Sequence, residues 1–318
     1  MTTRARGFAA KRTLTALAGA AVALVLTAVG CGNTSAANSA DSSTVITAIG
    51  AENEYANVLA QIGGRYVRVS SILDNPNTDP HTFEASPAVA QEVSGASLIV
   101  QNGVGYDSWI SKMEQASPNS HRKVIVAQQV LGLPSNTPNP HLWYDPRTMP
   151  AVAKVMAADL SALVPAHKAY FQANLAAFNR SLAPWLHAIA AFTAKHPGTM
   201  AATTEPVADY LLTAMGIRNL TPFTFQSDIM NGVDPAPQDI SLENSFLTQH
   251  KVKVFCYNQQ VVDTLTASIR QTALKAGVPV VGVYETMPTP GYTYQSWMLA
   301  EVHAIEKAVA SKISTQKL

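Results

Sequence analysis

Residues 165–197 read PAHKAYFQANLAAFNRSLAPWLHAIAAFTAKHP. Apolar side chains recur here at spacings of three and four, which places them on one face of a helix: Phe171, Leu175, Phe178, Leu182, Trp185, Ile189 and Phe192. Such a helix would be about 45 Å long, more than one small lobe needs. We therefore interpret residues 165–196 as a helix that links two lobes. Pro184 should bend it, and two shorter helices meeting at Pro184 are the alternative.

Short β-branched segments alternate with longer amphipathic ones on both sides of this helix. Strands are predicted at 45–49, 67–73, 98–100 and 124–127 before the helix, and at 199–204, 252–257 and 279–283 after it. This alternation is typical of α/β folds with parallel sheets. The predicted fold is therefore α/β, with an N-terminal lobe at 45–164 and a C-terminal lobe at 197–318. Each lobe should hold a mainly parallel sheet, and one long backbone helix should join them.

The first thirty residues are typical of a secretory signal peptide. A start with four basic residues leads into an apolar stretch over 14–29, and nothing of similar hydrophobicity follows it. A permanent transmembrane helix is the alternative interpretation. Residues 1–30 are thus predicted to be removed on export.

The signal peptide ends at a cysteine. Residues 28–31 read AVGC, which resembles the bacterial lipobox, so Cys31 is predicted to be lipidated and to start the mature chain. An ordinary cleavage site with an incidental Cys31 is the alternative. Residues 31–44 are mostly small and polar, as in a flexible tether. We expect an extracytoplasmic protein that is anchored to the cell membrane as a lipoprotein.

The charge balance argues against nucleic acid as a partner. Removal of residues 1–30 takes away four of the 22 Lys and Arg residues and none of the 21 Asp and Glu residues, which leaves a formal charge of −3. Such a chain lacks the basic excess that binds phosphate backbones. Once Cys31 is acylated, Cys256 has no cysteine to pair with, so a disulfide framework is excluded.

Four metal-competent side chains follow predicted strands, the place where ligands bind in open α/β sheets. His81 and His141 lie in proline-rich loops of the first lobe, and Glu205 and Glu285 directly follow strands of the second. Imidazole nitrogen and carboxylate oxygen without sulfur suit zinc, manganese or iron. Taken singly, each histidine has an alternative role as a hydrogen-bonded surface residue, and each glutamate as a partner of a helix N-terminus. Gln259, Gln260 and Tyr284 either orient such ligands or simply pack.

Three motifs carry a resemblance to a known family. Residues 79–84 read DPHTFE, residues 102–109 read NGVGYDSW, and residues 139–146 read NPHLWYDP. In these motifs and their order the chain resembles the zinc- and manganese-type solute-binding proteins of bacterial metal ABC importers, from about residue 45 to the C-terminus.

The resemblance implies two lobes on one long helix with the ion between them. His81, His141 and Glu205 match three ligand positions of the family. The fourth is usually an aspartate, and here Glu285 stands in its place, as in one subgroup of the family. Zn²⁺ or Mn²⁺ would then be the transported ligand, with affinity falling as the histidines are protonated at low pH.

The resemblance also implies the partners. A monomeric, non-enzymatic protein would deliver the ion to the permease of an ABC importer. Separately from the resemblance, a long stiff helix resists hinge bending, so we expect local rearrangement on release rather than wide closure of the lobes. The ligand types do not distinguish zinc from manganese. The first alternative function is the binding of haem or a metal chelate, and the second is that of a metallohydrolase. An adhesin role could coexist with metal binding.

Overall fold

The computed structural model of the chain describes residues 45–77 and 79–318. The predicted signal peptide at 1–30, and Cys31 with its tether at 31–44, lie outside the described residues. Among the helices that are described, none combines the length and hydrophobicity needed to cross a membrane. The described chain holds two four-stranded sheets in which all strand pairs are parallel, which confirms the predicted fold class of two α/β lobes.

The first sheet has the strand order β2-β1-β3-β4. Alternate residues of its strands face different apolar clusters: Leu98 and Val100 pack on one side and Ile99 on the other. Both faces are therefore covered by helices, as is usual for parallel sheets. The strands are β1 (Ile46–Glu52), β2 (Val67–Leu73), β3 (Leu98–Gln101) and β4 (Lys123–Val126).

The second sheet repeats this order as β6-β5-β7-β8. Its central strand β7 is fully buried and again alternates between two apolar clusters, with Cys256 on one side and Phe255 and Tyr257 on the other. The short strand β6 was not predicted, because a segment of two residues is too short to show the alternation of apolar and polar residues that indicates a strand. The strands are β5 (Met200–Thr203), β6 (Arg218–Asn219), β7 (Val254–Asn258) and β8 (Val280–Val283).

Twelve α-helices are present in the described part of the chain. In the first lobe they are α1 (Asn53–Gly63), α2 (Pro87–Gly95), α3 (Ser108–Ala116), α4 (Ala127–Val130) and α5 (Thr148–Leu163). The linking segment contains α6 (Lys168–Ser181) and α7 (Ala183–Lys195). The second lobe has α8 (Asp209–Ala214), α9 (Phe223–Met230), α10 (Pro237–Thr248), α11 (Thr264–Lys275) and α12 (Tyr294–Ser311).

The linking helix is interrupted at one residue, Leu182. Pro184 has no N–H to donate to the carbonyl of Arg180, so the regular hydrogen-bond ladder stops there. Leu182 nevertheless keeps a right-handed helical backbone, with φ of −78° and ψ of −14°. Helix α6 packs against α1 and α5 of the first lobe, and α7 packs against α12 of the second. The two segments therefore connect the lobes as the sequence predicts, with a break two residues before Pro184.

Helix α12 reaches from the second lobe to the first. The Tyr294 hydroxyl donates to the backbone carbonyl of Trp143 at 2.7 Å, and the Tyr294 N–H donates to Asn57 Oδ1 at 3.0 Å. The ring of Trp297 packs edge-on against Tyr144, with centroids 5.5 Å apart. One continuous apolar cluster accordingly includes residues of both lobes and of the linking helix.

Replacement of Trp185 by Ala should destabilise the protein by about 3–5 kcal/mol, because a large buried side chain is lost. Trp185 is fully buried on α7 and packs edge-on against Tyr294, with ring centroids 5.9 Å apart. Its neighbour Leu186 is 41% exposed, so Leu186→Ala is the matched control and should change the free energy of unfolding by less than about 0.5 kcal/mol. Urea unfolding followed by circular dichroism measures both, and equal losses would contradict this packing.

Candidate metal centre

His81 is held by a short 3-10 turn that follows β2. The turn covers Pro80–Thr82, and Asp79 caps it by accepting a hydrogen bond from the His81 backbone N–H at 2.8 Å. Pro80 favours the first position of the turn because its φ is fixed and it has no N–H to satisfy. The His81 side chain remains 22% exposed. His81 thus combines a fixed backbone with an imidazole that reaches solvent.

His141 is completely buried, and Asn139 orients its ring. Asn139 Oδ1 accepts a hydrogen bond from the His141 backbone N–H at 3.0 Å and lies 2.8 Å from His141 Nδ1. The Asn139 amide N–H donates to the carbonyl of Pro206 at 2.8 Å, which fixes which end of the amide faces the ring. Since an amide oxygen only accepts, the proton of the neutral imidazole sits on Nδ1. His141 Nε2 is then the atom available as a metal ligand.

Tyr106 approaches the histidines from the loop after β3. Three successive residues of this loop have positive φ, Gly103 at 83°, Val104 at 57° and Gly105 at 79°. Two of the three are glycines, which adopt this conformation without a steric penalty. The tight loop brings the Tyr106 hydroxyl to Glu285 Oε2, to which it donates a hydrogen bond at 3.0 Å.

Glu285 lies at the centre of the site. Its Oε2 is 3.1 Å from His81 Nε2 and 3.3 Å from His141 Nε2, and the whole side chain is buried. The ligand atoms of these three residues all lie within 4.8 Å of one another, and the described residues contain no other group of three or more such side chains. The structure therefore brings two imidazoles of the first lobe onto one carboxylate of the second.

Glu205 lies beside this group and is connected to it by Asn258. One amide nitrogen, Asn258 Nδ2, donates to Glu205 Oε1 at 2.9 Å and to Glu285 Oε1 at 2.7 Å. Glu205 is 2% exposed, and its Oε2 has no hydrogen-bond partner among the described residues. Three of the four predicted ligand residues are thus in mutual contact, and the fourth is one amide group away.

Burial and charge act in opposite directions on the two histidines and on Glu285. Burial lowers the pKa of His141. Burial also disfavours the charged form of His81, but the charge of Glu285 and its hydrogen bond outweigh burial and raise the pKa of His81 to about 9. For Glu285, the charge of His81 and the hydrogen bond from its imidazole outweigh burial and hold the pKa of Glu285 below the usual range. A charged His81 therefore pairs with a charged Glu285 at neutral pH.

The second glutamate differs from the first in its electrostatic surroundings. Burial, together with the negative charge of Glu285, raises the pKa of Glu205 well above its ordinary value. The charge of His81 and the hydrogen bond from Asn258 lower the pKa of Glu205, but they do not outweigh burial and the charge of Glu285. Of the two carboxyl groups that Asn258 connects, Glu285 is therefore ionised at neutral pH, whereas Glu205 favours its protonated form.

Several residues of the site were not predicted from the sequence. Tyr106 and Asn139 lie inside the quoted motifs, and Asn258 ends strand β7, where the strand-end rule would also have pointed to it. Gln260 holds the backbone of the candidate ligand Glu285: its Oε1 accepts from the backbone N–H groups of Glu285 at 2.7 Å and of Thr286 at 2.8 Å. The hydroxyl of Tyr284 accepts from the Leu318 N–H instead, at 3.4 Å.

The arrangement is suited to holding one bare cation. Two imidazole nitrogens and carboxylate oxygens form a ligand set that first-row divalent metals prefer. An ion can enter once His81 loses its proton, because Glu285 Oε2 then has no positive partner. Since His141, Glu205 and Glu285 are buried, an ion there would be largely shielded from water.

Known proteins share this fold and these sequence features. The family model of the zinc-uptake complex component A, periplasmic (ZnuA), matches residues 51–308. The chain is 27% identical over 163 residues to the manganese-binding lipoprotein MntA of Bacillus subtilis, which covers 48% of this chain and about half, 51%, of the relative. It is 26% identical over 246 residues to the manganese ABC transporter substrate-binding lipoprotein PsaA of Streptococcus pneumoniae, covering 73% of this chain and 77% of the relative.

A solved structure agrees with the architecture. The periplasmic zinc-binding protein TroA of Treponema pallidum superimposes with a TM-score of 0.71 at 17% identity, covering 84% of this chain and 99% of that one. At this identity the likeness supports the fold, while the family model spans most of the sequence. The chain therefore belongs to the zinc-uptake complex component A family of metal-binding proteins.

Proposed function

We propose that this protein captures one divalent transition metal ion, zinc or manganese, outside the cytoplasmic membrane and delivers it to the permease of an ABC importer. The observation that carries the proposal is the convergence of His81 Nε2 and His141 Nε2 on Glu285 Oε2 in a buried position between the lobes. His81, His141, Glu205 and Glu285 would hold the ion. The two manganese-binding lipoproteins that resemble the chain support the same class of cargo.

The geometry favours a carrier over a metallohydrolase. A hydrolytic metal needs an open coordination position where a substrate can bind. Here both glutamates and His141 are buried, and His81 is the ligand candidate that reaches solvent. A haem or metal chelate would need a wide cleft, whereas candidate ligand atoms within 4.8 Å of one another are spaced for a single ion.

The sequence and the relatives support the proposed location and attachment. The signal-peptide pattern over 1–30 supports export, and the cysteine of the AVGC motif supports a lipid anchor at Cys31. Residues 31–44 would then tether a monomeric metal-binding body to the membrane, near the importer. MntA and PsaA, the two relatives named above by sequence, are lipoproteins.

The double variant His81→Ala, His141→Ala should lose its metal while staying folded. Wild-type protein should retain about one Zn²⁺ or Mn²⁺ per chain after dialysis, measured by elemental analysis, and the variant almost none, because both nitrogen ligands are gone. His121 and His187 are exposed and serve as the matched control when both are changed to Ala. Unchanged metal content in the first variant, with a normal circular dichroism spectrum, would show that these histidines are not the ligands.

Metal affinity should rise with pH between about 6 and 8.5. The pKa of His81 is raised to about 9, so His81 carries a proton throughout this range and must release it to bind an ion. Loss of at least one proton on binding makes the apparent affinity increase about tenfold or more per pH unit. Calorimetric titration in buffers of different ionisation enthalpy should count at least one proton released per ion at pH 7. An affinity that does not change with pH would contradict the His81–Glu285 ion pair.

The change Cys31→Ala should release the protein from the membrane. Without the thiol no lipid can be attached, and the tether has no other anchor in the predicted scheme. Fractionation of cells that express each form measures the effect, with Cys256→Ala as a control because Cys256 is buried in β7. Retention of the Cys31 variant in the membrane fraction would point to a different attachment.

A further inference from the structure

The side chain of Asn258 is fully buried, and both its amide oxygen and its amide nitrogen form hydrogen bonds. Its Oδ1 accepts a hydrogen bond from the Gln260 backbone N–H at 3.0 Å. A backbone N–H only donates, so this contact fixes Oδ1 and directs the NH₂ group towards the glutamates. The Asn258 backbone N–H donates to Thr204 Oγ1 at 3.0 Å, which holds the residue at the end of β7.

The amide engages one oxygen of each glutamate. Its nitrogen donates to Oε1 of Glu205 at 2.9 Å and to Oε1 of Glu285 at 2.7 Å. The other oxygen of Glu285, Oε2, faces the two imidazoles and accepts from the Tyr106 hydroxyl at 3.0 Å, and the other oxygen of Glu205 has no hydrogen-bond partner among the described residues. Each carboxylate is therefore left with one oxygen for an ion.

The number of ligand atoms follows from this arrangement. Two imidazole nitrogens and one oxygen from each of two carboxylates make four. Few water molecules could join these four atoms as ligands of an ion, because only His81 of the four residues is appreciably exposed. Zinc prefers four ligands in a tetrahedron, whereas manganese prefers six, usually rich in oxygen.

We propose that Asn258 is a positioning residue that restricts both glutamates to one oxygen each, and so sets the coordination number at four and favours zinc over manganese. The proposal rests on the metal-binding function proposed above. A merely structural role, in which Asn258 only satisfies two buried carboxylates, would leave coordination number and metal preference unchanged when the amide is removed.

The test uses Co²⁺ as a probe in purified protein, since the visible spectrum of Co²⁺ is intense for four ligands and weak for six. Wild-type protein should give the intense spectrum. In Asn258→Ala both carboxylates are free to bind through two oxygens, and the spectrum should weaken towards that of a five- or six-coordinate ion. Competition titrations should show the ratio of Zn²⁺ to Mn²⁺ affinity reduced by about tenfold or more, the usual size of such outer-shell effects.

Asn219 is the matched control in the same lobe. Its amide nitrogen also donates to two acceptors, Thr203 Oγ1 at 3.0 Å and Asp209 Oδ1 at 2.9 Å, and its Oδ1 accepts from the Thr221 N–H at 3.1 Å. Asn219→Ala removes an equivalent network that touches neither glutamate, so it should keep the intense Co²⁺ spectrum and the wild-type affinity ratio.

The outcomes separate this inference from the proposed function. If wild-type protein binds none of the three ions, the proposed function fails. If it binds them but Asn258→Ala keeps the four-coordinate spectrum and the affinity ratio, or Asn219→Ala changes both equally, the inference is wrong and the function stands. X-ray absorption of the wild-type Mn²⁺ complex gives an answer even if Asn258→Ala does not fold: four nitrogen and oxygen neighbours support the inference, and six overturn it.

Discussion

One buried carboxylate oxygen, Glu285 Oε2, determines how the two lobes must meet. A carboxylate that is fully removed from water costs several kcal/mol unless charged or hydrogen-bonding partners surround it. Glu285 follows the last strand of the second lobe, where Asn258 donates to its Oε1, but the donors to its Oε2, His81 and Tyr106, belong to the first lobe. The charge on Oε2 therefore has its positive partner only when both lobes are correctly placed.

Contacts away from the site hold the same relative placement. Asn53 of α1 exchanges two hydrogen bonds of 2.8 Å with the backbone of Met287, two residues after Glu285. The hydroxyl of Tyr144 donates to the carbonyl of Tyr284 at 2.8 Å, one residue before it. The chain on both sides of Glu285 is thus attached to the first lobe. These attachments and the continuous apolar cluster agree with the expectation of local rearrangement, since a wide separation of the lobes would break all of them.

The fold could be predicted from the sequence because its strands are short, apolar and regularly spaced between amphipathic segments. Seven strands were predicted close to their actual positions, and the helical period from Phe171 to Phe192 indicated the link between the lobes. The strand β6 was missed because two polar residues, Arg218 and Asn219, form a strand only through pairing with β5. The sequence predicted a bend at Pro184 but not the exact residue of the break, Leu182. A proline disrupts hydrogen bonds in the turn that precedes it, so the break lies before the proline itself.

The site could be predicted only in part, for a related reason. The rule that ligands bind beyond the carboxyl ends of parallel strands identifies positions that follow strands, and it identified both histidines and both glutamates. It does not specify side-chain hydrogen bonds, which depend on distances set by tertiary packing. The sequence therefore could not show that Asn139 selects the tautomer of His141, nor that Asn258 joins the two glutamates. Glu285, the position that departs from the family's usual aspartate, proved to be where the imidazoles converge.

The ion pair between His81 and Glu285 would compete with a metal ion for the proposed site. The His81 imidazolium lies beside Oε2, with Nε2 at 3.1 Å. If the site holds an ion as proposed, an arriving ion would have to displace that proton and a departing ion would be replaced by it, so the carboxylate would not be left buried with an unbalanced charge. Such exchange would lower the affinity below what the same ligands would reach if preformed and neutral. For the proposed carrier this would be useful, because a protein that must give up its ion benefits from having a substitute already attached to the chain.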